Sequence, residues 1–303
     1  MRILLLAGGW SSEREVSLRG AAQIEAALIE RGHSVTRLDP STHFESIYEE
    51  ARRHDAAFIG LHGQPGEDGL IQAMLDQAGC PYQGSAPAGS FLALHKAASK
   101  QLFRAHGLLT ADWIYLPTRP GPGWTPDLPF PLFVKSNTGG SSLHLFKVDS
   151  SDELSAALDA LFGAGEEALI EPALPGQDIT CGVLGDEALP PILIRPTSVF
   201  FDYHSKYAVG GADELCPAPL PEATYEAVRQ AALEAHRVLG LEGYSRSDFI
   251  LHEDGRLFLL ETNTLPGMTS GSLIPKEAAA AGLSFSELVE RLLELGMARA
   301  GRA

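Results

Sequence analysis

Arg246, Asp248, Glu261 and Asn263 carry the densest chemistry in this chain. Two runs that read as strands, 244–251 and 256–262, place them around a turn at Glu253-Asp254-Gly255. A two-residue turn centred on Asp254-Gly255 is a favoured hairpin connection. It sets Asp248 opposite Glu261 and Arg246 opposite Asn263, all on one face, since side chains alternate along a strand. The other face receives Phe249, Leu251, Phe258 and Leu260, or their immediate neighbours, which suit a core. Carboxylates directly opposite one another repel. A divalent cation between them resolves the repulsion. Asp, Glu and Asn offer only oxygen, which selects a hard ion such as Mg2+. A solvated polar face with Arg246 neutralising the acids accounts for the same residues, and the spacing leaves both readings open.

Glycine-rich loops surround this hairpin in the sequence. Gly139-Gly140-Ser141-Ser142 joins two predicted strands, 131–135 and 143–148. It is no P-loop, which would show GxxxxGK[ST] opening a helix. Its exposed N–H groups suit a flap over phosphates, with Lys135 just before it; a plain β-turn is the competing reading. Gly8-Gly9 with Ser11-Ser12 ends the first strand, where open α/β sheets bind ligands. It lacks GxGxxG, which argues against a nicotinamide cofactor. Glu13 and Glu15 there either compensate a helix dipole or hold a ligand ammonium. His62-Gly63-Gln64-Pro65-Gly66-Glu67-Asp68-Gly69 follows the third strand, and Asn263-Thr264-Leu265-Pro266-Gly267-Met268-Thr269-Ser270-Gly271-Ser272 follows the hairpin. The Gly267 N–H and Arg246 form a possible donor pair for an oxyanion.

The elements that must position these loops follow from periodicity. Strand-like runs at 2–7, 34–38 and 56–61 alternate with helical patterns at 15–31 and 44–54, which predicts a parallel sheet. A helix is expected from Pro87 to His106 and a linker over 117–131. A helix at 151–162 and a strand at 167–171 complete a small α+β middle part. Strands at 179–184 and 190–195, an irregular loop over 196–217 and helices at 221–239 and 284–296 surround the hairpin. The expected division is 1–85, 86–178 and 179–303, since single cores seldom exceed roughly 250 residues.

Charge and cysteine usage narrow the function. Thirty-nine acids against 23 bases give −16, which argues against a general nucleic-acid binder but not against a small anionic ligand. Cys80, Cys181 and Cys216 are widely spaced and form no CxxC, so neither a disulfide framework nor a zinc cluster is expected. The apolar start, Met1 to Ala7, meets glycines and then Glu13-Arg14-Glu15 rather than continuing as a signal peptide. No run approaches the ~18 apolar residues of a membrane span. A cytoplasmic protein is expected.

Taken in order, AGGWSSEREVSLRGA (7–21), HGQPGEDGLIQ (62–72), FVK (133–135) with GGSS (139–142), FFDYHSKY (200–207), RSDF (246–249) and ETNTLPGMTSGSL (261–273) resemble the D-alanine–D-alanine ligases of the ATP-grasp superfamily. The resemblance covers nearly the whole chain. It implies an α/β fold with α+β elements, in three domains with an N-terminal Rossmann-like parallel sheet. It also implies ATP-dependent ligation of two D-alanine molecules through an acyl phosphate, for peptidoglycan precursor synthesis. ATP would be co-substrate, with two Mg2+ ions (or Mn2+) on Asp248, Glu261 and Asn263. Lys96, Lys135 and Lys206 would bind phosphates, with Ser142 in the flap and Glu171 and Asp178 at adenine and ribose. Arg246 and the Gly267 N–H would hold the oxyanion. Glu13 would hold the first ammonium, with His62 nearby, and Ser272 and the Leu273 N–H the second carboxylate. Glu13, Ser141 and Tyr207 would form a triad closing the loop over the site. A homodimer, with no nucleic-acid or membrane partner, is the family's usual state.

The chain departs from the family pattern around the nucleotide. Ser136 stands where proline usually follows the lysine, His144 where glycine often follows the serines, Pro172 for a common lysine and Asp178 for a common glutamate. Two other functions fit the same residues: a ligase joining other amino acids, such as D-alanine with D-serine, and a nucleotide-binding regulator that has lost its chemistry.

Overall fold

A computed structural model of the chain describes residues 1–121, 123–140, 144–196 and 212–301. In chain order the first elements are β1 (Arg2–Leu6), α1 (Arg14–Glu30), β2 (Ser34–Leu38), α2 (Pro40–His43), a 3-10 turn at Phe44–Ser46, α3 (Ile47–Arg53), β3 (Ala56–Ile59) and α4 (Leu70–Ala78). β1 lies between β2 and β3, parallel to both. Ile3 to Leu6 are fully buried because a central parallel strand is covered on both faces. The expected parallel sheet is therefore present. Its loops after β1 and β3 leave from the same, C-terminal edge.

The next segment departs from expectation. The single helix predicted from Pro87 to His106 is two: α5 (Pro87–Leu94) and α6 (Lys96–Ala105). His95 leaves the helical region (φ −82°, ψ 90°), and its Nδ1 accepts the Ala98 N–H at 3.2 Å. No Pro or Gly marks the break, so the sequence pattern runs straight through it. The consequence is functional: Lys96 begins a helix instead of lying inside one.

The four-stranded sheet follows: β4 (Ile114–Leu116), β5 (Leu132–Ser136), β6 (Leu145–Val148) and β7 (Ala168–Pro172), in the order β4-β7-β5-β6, with α7 (Ser151–Gly163) packed on it. β4, just ahead of the predicted linker, is an addition to the expected elements. The third sheet comprises β8 (Gly176–Leu184), β9 (Glu187–Ala188), β10 (Ile192–Pro196), β11 (Ala212–Leu215), β12 (Tyr244–His252) and β13 (Leu257–Asn263). Its order is β11-β10-β8-β12-β13, with β9 on β8. Between its strands runs α8 (Glu222–Val238), and α9 (Leu273–Ala280) and α10 (Phe285–Ala300) close the chain. The predicted irregular loop 196–217 thus ends in a strand, β11. The short, acidic ADEL carries too little alternation to announce itself, and it is fixed by pairing with β10.

α9 was also not foreseen, although Ser272 is a natural N-cap type before it. α9 and α10 return to the first sheet: Ile274, Ala278, Leu288, Val289, Leu292 and Leu293 share one core with β1, β3 and α1. The chain's end therefore braces its beginning, and the loops at the edge of the first sheet face those leaving the hairpin. No described helix is long and apolar enough to cross a membrane.

Candidate active site

The hairpin puts Asp248 opposite Glu261 and Arg246 opposite Asn263, as the spacing predicts. The route to that register differs. The turn holds three residues, Glu253 to Gly255, with His252 donating to the Arg256 carbonyl at 2.9 Å and Gly255 at φ +86°. Phe249 then faces Leu259 and Leu251 faces Leu257, one residue off the predicted register. A β-bulge between Asp248 and Phe249 absorbs the extra residue, Leu260, and restores the pairing at the acids. The core face is accordingly Phe249 and Leu259, with Leu251 and Leu257 partly buried beside them, rather than Leu260.

On the polar face Arg246 grips Asp248 through both ends: Nε donates to Oδ1 at 2.9 Å and Nη2 to Oδ2 at 2.7 Å. Asn263 Nδ2 donates to Asp248 Oδ2 at 3.3 Å. Thr180 Oγ1, on the neighbouring strand β8, donates to Asp248 Oδ1 at 2.6 Å. Burial works against the Arg246 charge, but Asp248 and Glu261 outweigh it, and the guanidinium is held more firmly protonated than usual. Glu261 meets Lys96 Nζ at 3.4 Å. Asp178 lies two positions from Thr180 on β8, on the same strand face.

α6 and the glycine flap form the next layer. Lys96 Nζ also donates to the Gly139 carbonyl at 2.6 Å, so it joins flap and hairpin. Lys135, on β5, ion-pairs with Glu171 Oε2 at 2.5 Å, and Lys100 pairs with the other carboxylate oxygen. Glu171 is 4% exposed. Burial alone would raise its carboxyl, but Lys135 and Lys100 overrule it and lower the pKa to about 2. Lys135 is likewise desolvated, yet Glu171 and Glu261 raise its pKa above the ordinary value. Lys100 goes the other way, because burial outweighs the attraction of Glu171. Ser141, Ser142, Lys206 and Tyr207 lie outside the described residues. His144, the next described residue after the flap serines, has φ +55°. A glycine takes that backbone more readily than histidine does.

The loops of the first sheet close the third side. Glu13 caps α1 without a side-chain capping bond, and its carboxylate abuts both the flap and the loop after β3. A Cβ on Gly140 would stand 2.8 Å from Glu13 Oε2, and one on Gly63 3.3 Å from it. The Ser11 hydroxyl donates to the His62 carbonyl at 2.6 Å. His62 Nδ1 lies 3.0 Å from the Leu265 carbonyl in the loop after the hairpin. Burial depresses the His62 pKa, with Glu13 opposing that shift and Arg246 adding to it. Glu67 is pushed up to about 8 by burial, and Glu13 adds to the effect. Ser272 is the N-cap residue of α9; its hydroxyl is within 2.8 Å of Thr269 Oγ1 and accepts the Thr269 N–H at 3.1 Å. A Cβ on Gly267 would meet Ser272 Oγ at 3.0 Å. Gly267, Ser272 and Leu273 thus gather at a helix N-terminus, a favourable seat for a carboxylate.

Sequence reasoning missed several residues that shape this site. Arg14 donates to the Gly9 carbonyl at 2.7 Å and forks onto Asp39, which accepts the Gly9 N–H at 3.0 Å. That clamp fixes the loop bearing Glu13; the two partners lie 25 positions apart, and only folding joins them. Lys100 stands one helical turn after Lys96, a spacing from which a second site lysine is readable. Glu277, fully buried on α9, accepts the Gly182 N–H at 3.1 Å where β8 passes from its pairing with β10 to its pairing with β9, directly across from Arg246 on β12. No spacing rule points to it.

The oxygen-only set fits a hard cation. Among the described residues no three His, Cys, Asp or Glu side chains cluster as a self-sufficient metal cage. Two carboxylates and an amide leave room for phosphate oxygens and water, the usual way Mg2+ binds beside a nucleotide.

Known proteins match this chain along its whole length. Residues 105–294 match the family described as "D-ala D-ala ligase C-terminus". A "D-alanine--D-alanine ligase" of Nitratidesulfovibrio vulgaris is 63% identical over 303 residues, covering all of both chains. One from Lawsonia intracellularis is 58% identical over 297 residues, covering 98% of each. Among solved structures, that of "D-alanine--D-Alanine Ligase from Bacillus anthracis" superimposes with a TM-score of 0.90 at 36% identity, covering 100% of this chain and 99% of that one. The same enzyme "complexed with ATP" gives 0.89 at 34% identity, with the same coverage.

Proposed function

The chain belongs to the D-alanine–D-alanine ligase family, and from that premise we propose that it joins two D-alanine molecules at the expense of ATP, with Arg246, Asp248, Glu261 and Asn263 as the floor of its active site. The observation that carries the reading is the hairpin register: it aligns those four residues beneath Lys96 and the flap.

The chemistry follows from the weakness of a carboxylate as an electrophile. An oxygen of the first D-alanine's carboxylate attacks the γ-phosphorus of ATP, and ADP leaves. The amine of the second D-alanine then attacks the acyl carbon of the acyl phosphate. The C–O bond to phosphate breaks, inorganic phosphate departs, and the new amide nitrogen gives its extra proton to that phosphate. Glu13 holds the first ammonium beside His62. Arg246 and the Gly267 N–H meet the oxygen that becomes negative in the tetrahedral intermediate. Ser272 and the Leu273 N–H, at the start of α9, take the second carboxylate.

Lys96 and Lys135 serve the phosphates. Glu171 holds Lys135 in place at the nucleotide's border, and Asp178 lies on the same strand face as Asp248's partner Thr180. Ser142 and Lys206 as nucleotide ligands, and Ser141 and Tyr207 as triad partners of Glu13, rest on the sequence. Asp248, Glu261 and Asn263 would hold Mg2+ (two ions, or Mn2+), which when bound neutralises phosphate charge and aligns the γ-phosphoryl group. Three working units (1–85, 86–178 and 179–303), a homodimer and a cytoplasmic location belong to the same proposal, as does a role in making the peptidoglycan precursor.

The test is phosphate release from purified protein with ATP and Mg2+, offered D-alanine, L-alanine, D-serine or D-lactate, with products weighed by mass spectrometry. D-alanine alone should release phosphate one-for-one with D-alanyl-D-alanine. Release only with a mixed pair would move the substrate. No release with any of them, despite ATP binding, would favour a regulator.

A further inference from the structure

Gly139 is held on both of its polar atoms. Its carbonyl accepts from Lys96 Nζ at 2.6 Å, and its N–H donates to Ser136 Oγ at 2.7 Å. Ser136, the last residue of β5, is 3% exposed. Its hydroxyl proton goes to Glu166 Oε2 at 2.6 Å. One hydroxyl is thus both acceptor from the flap and donor to a carboxylate, and the ionised acceptor strengthens the chain. The flap backbone rests directly on this serine: a Cβ on Gly139 would lie 2.7 Å from both Ser136 Cβ and Oγ.

The neighbouring residue ties the same root to the nucleotide lysine. Asn137 is fully buried. Its Oδ1 accepts the Ala97 N–H at 3.0 Å, and its carbonyl accepts the Lys96 N–H at 3.0 Å. A residue outside α6 therefore caps the first turn of that helix, whose N–H groups have no partners within it. Asn137 Nδ2 donates to Glu167 Oε2 at 3.1 Å, and its N–H donates to the Glu167 carbonyl at 2.9 Å. Two adjacent glutamates before β7 thus anchor two adjacent residues at the flap root.

We propose that Ser136 is a positioning residue for the nucleotide site, bridging the Gly139 N–H to the Glu166 carboxylate and so holding the Gly139-Gly140 backbone in place for the phosphates. The proposal rests on the reading of Gly139-Gly140 as a phosphate flap. Its physical reason is a competition for Lys96. A phosphate that draws the Lys96 ammonium takes it from the Gly139 carbonyl. Among the described residues, the Ser136–Glu166 bridge is then the remaining side-chain tether on Gly139. A simple serine turn accounts for the Gly139 bond but needs no carboxylate behind it; the Glu166 link separates the two.

The experiment compares Ser136→Ala, Glu166→Ala, Glu166→Gln and the Ser136→Ala/Glu166→Ala double variant with the parent chain. The readouts are direct binding of a non-hydrolysable ATP analogue with Mg2+, the ATP KM, kcat and the melting temperature. Ser136→Ala should weaken analogue binding and raise the ATP KM by roughly three- to tenfold, the effect of one lost hydrogen bond, with kcat changed less than about twofold. Glu166→Ala should do the same, the double variant should add nothing further, and Glu166→Gln, which still accepts from the hydroxyl but without the charge, should fall between Glu166→Ala and the parent. A lower melting temperature with unchanged nucleotide affinity would reduce Ser136 to a structural turn and overturn the proposal, as would additive single effects. Analogue binding needs no turnover, so a parent that binds the analogue but ligates nothing sinks the ligase reading and leaves this comparison intact. A parent that binds no nucleotide sinks both.

Discussion

The acids on β12 and β13 and the acid on β7 are all met by cations, yet they are met differently. Asp248 and Glu261 have side chains 20% and 24% exposed, and their partners Arg246 and Lys96 are 14% and 9% exposed. The Glu171 side chain is 5% exposed, between those of Lys100 at 0% and Lys135 at 15%. At the hairpin the ion pairs are open to exchange: an incoming metal or phosphate can take either partner without unburying the other. Around Glu171 the Lys100 arm is sealed, and losing it would leave an acid in a low dielectric with reduced compensation. The difference teaches that one cluster is arranged to rearrange during a reaction, while the other is arranged to stay still and hold Lys135.

The largest expected effect comes from breaking the sealed cluster. Lys100→Met should cost about 3 kcal/mol of stability, the low end for a broken buried pair because Lys135 remains; urea unfolding measures it. A loss below about 1 kcal/mol would mean that the two clusters do not differ in kind. Next, Asp248→Asn should cut turnover roughly a hundredfold at fixed Mg2+ and recover partly as Mg2+ rises, as expected for a weakened metal ligand. Its stability should fall by about 1–2 kcal/mol, less than for Lys100→Met, because an amide nitrogen at that position faces donors from Arg246 or Asn263 and leaves the guanidinium less compensated. Indifference to Mg2+ would undo the metal assignment. The smallest effect sharpens the comparison further. Thr180→Val removes one hydrogen bond to Asp248 and should lower kcat by roughly three- to tenfold with little change in the melting temperature. A marked loss of stability would place Thr180 with the sealed cluster instead.

Much of the site was legible because its parts are local. Alternation along the two strands fixed which of Arg246, Asp248, Glu261 and Asn263 share a face, and the sheet agrees. The prediction of that register, however, assumed a two-residue turn and an unbroken ladder. The molecule uses a three-residue turn and a bulge, and the two one-residue differences cancel at the acids but not at Leu260. The break at His95 was illegible for a related reason. It is made by a histidine side chain capping Ala98 and by Asn137 capping from just past the end of β5, and neither is a helix-stop signal in the sequence.

The sequence by itself determined the order of the loops, the oxygen-donor hairpin, the parallel first sheet and the family. Each is written in residue types and in spacings of a few positions, which local backbone geometry converts directly into structure. Only the tertiary structure decided which charges face which. It put Lys96 between the flap and Glu261, sealed Glu171 between two lysines, clamped Asp39 onto Arg14 and brought the last helices back under the first sheet. Those pairings join residues tens to hundreds of positions apart. They exist because burial in a shared core leaves each buried charge few places to find a partner, a constraint that no short window of sequence contains.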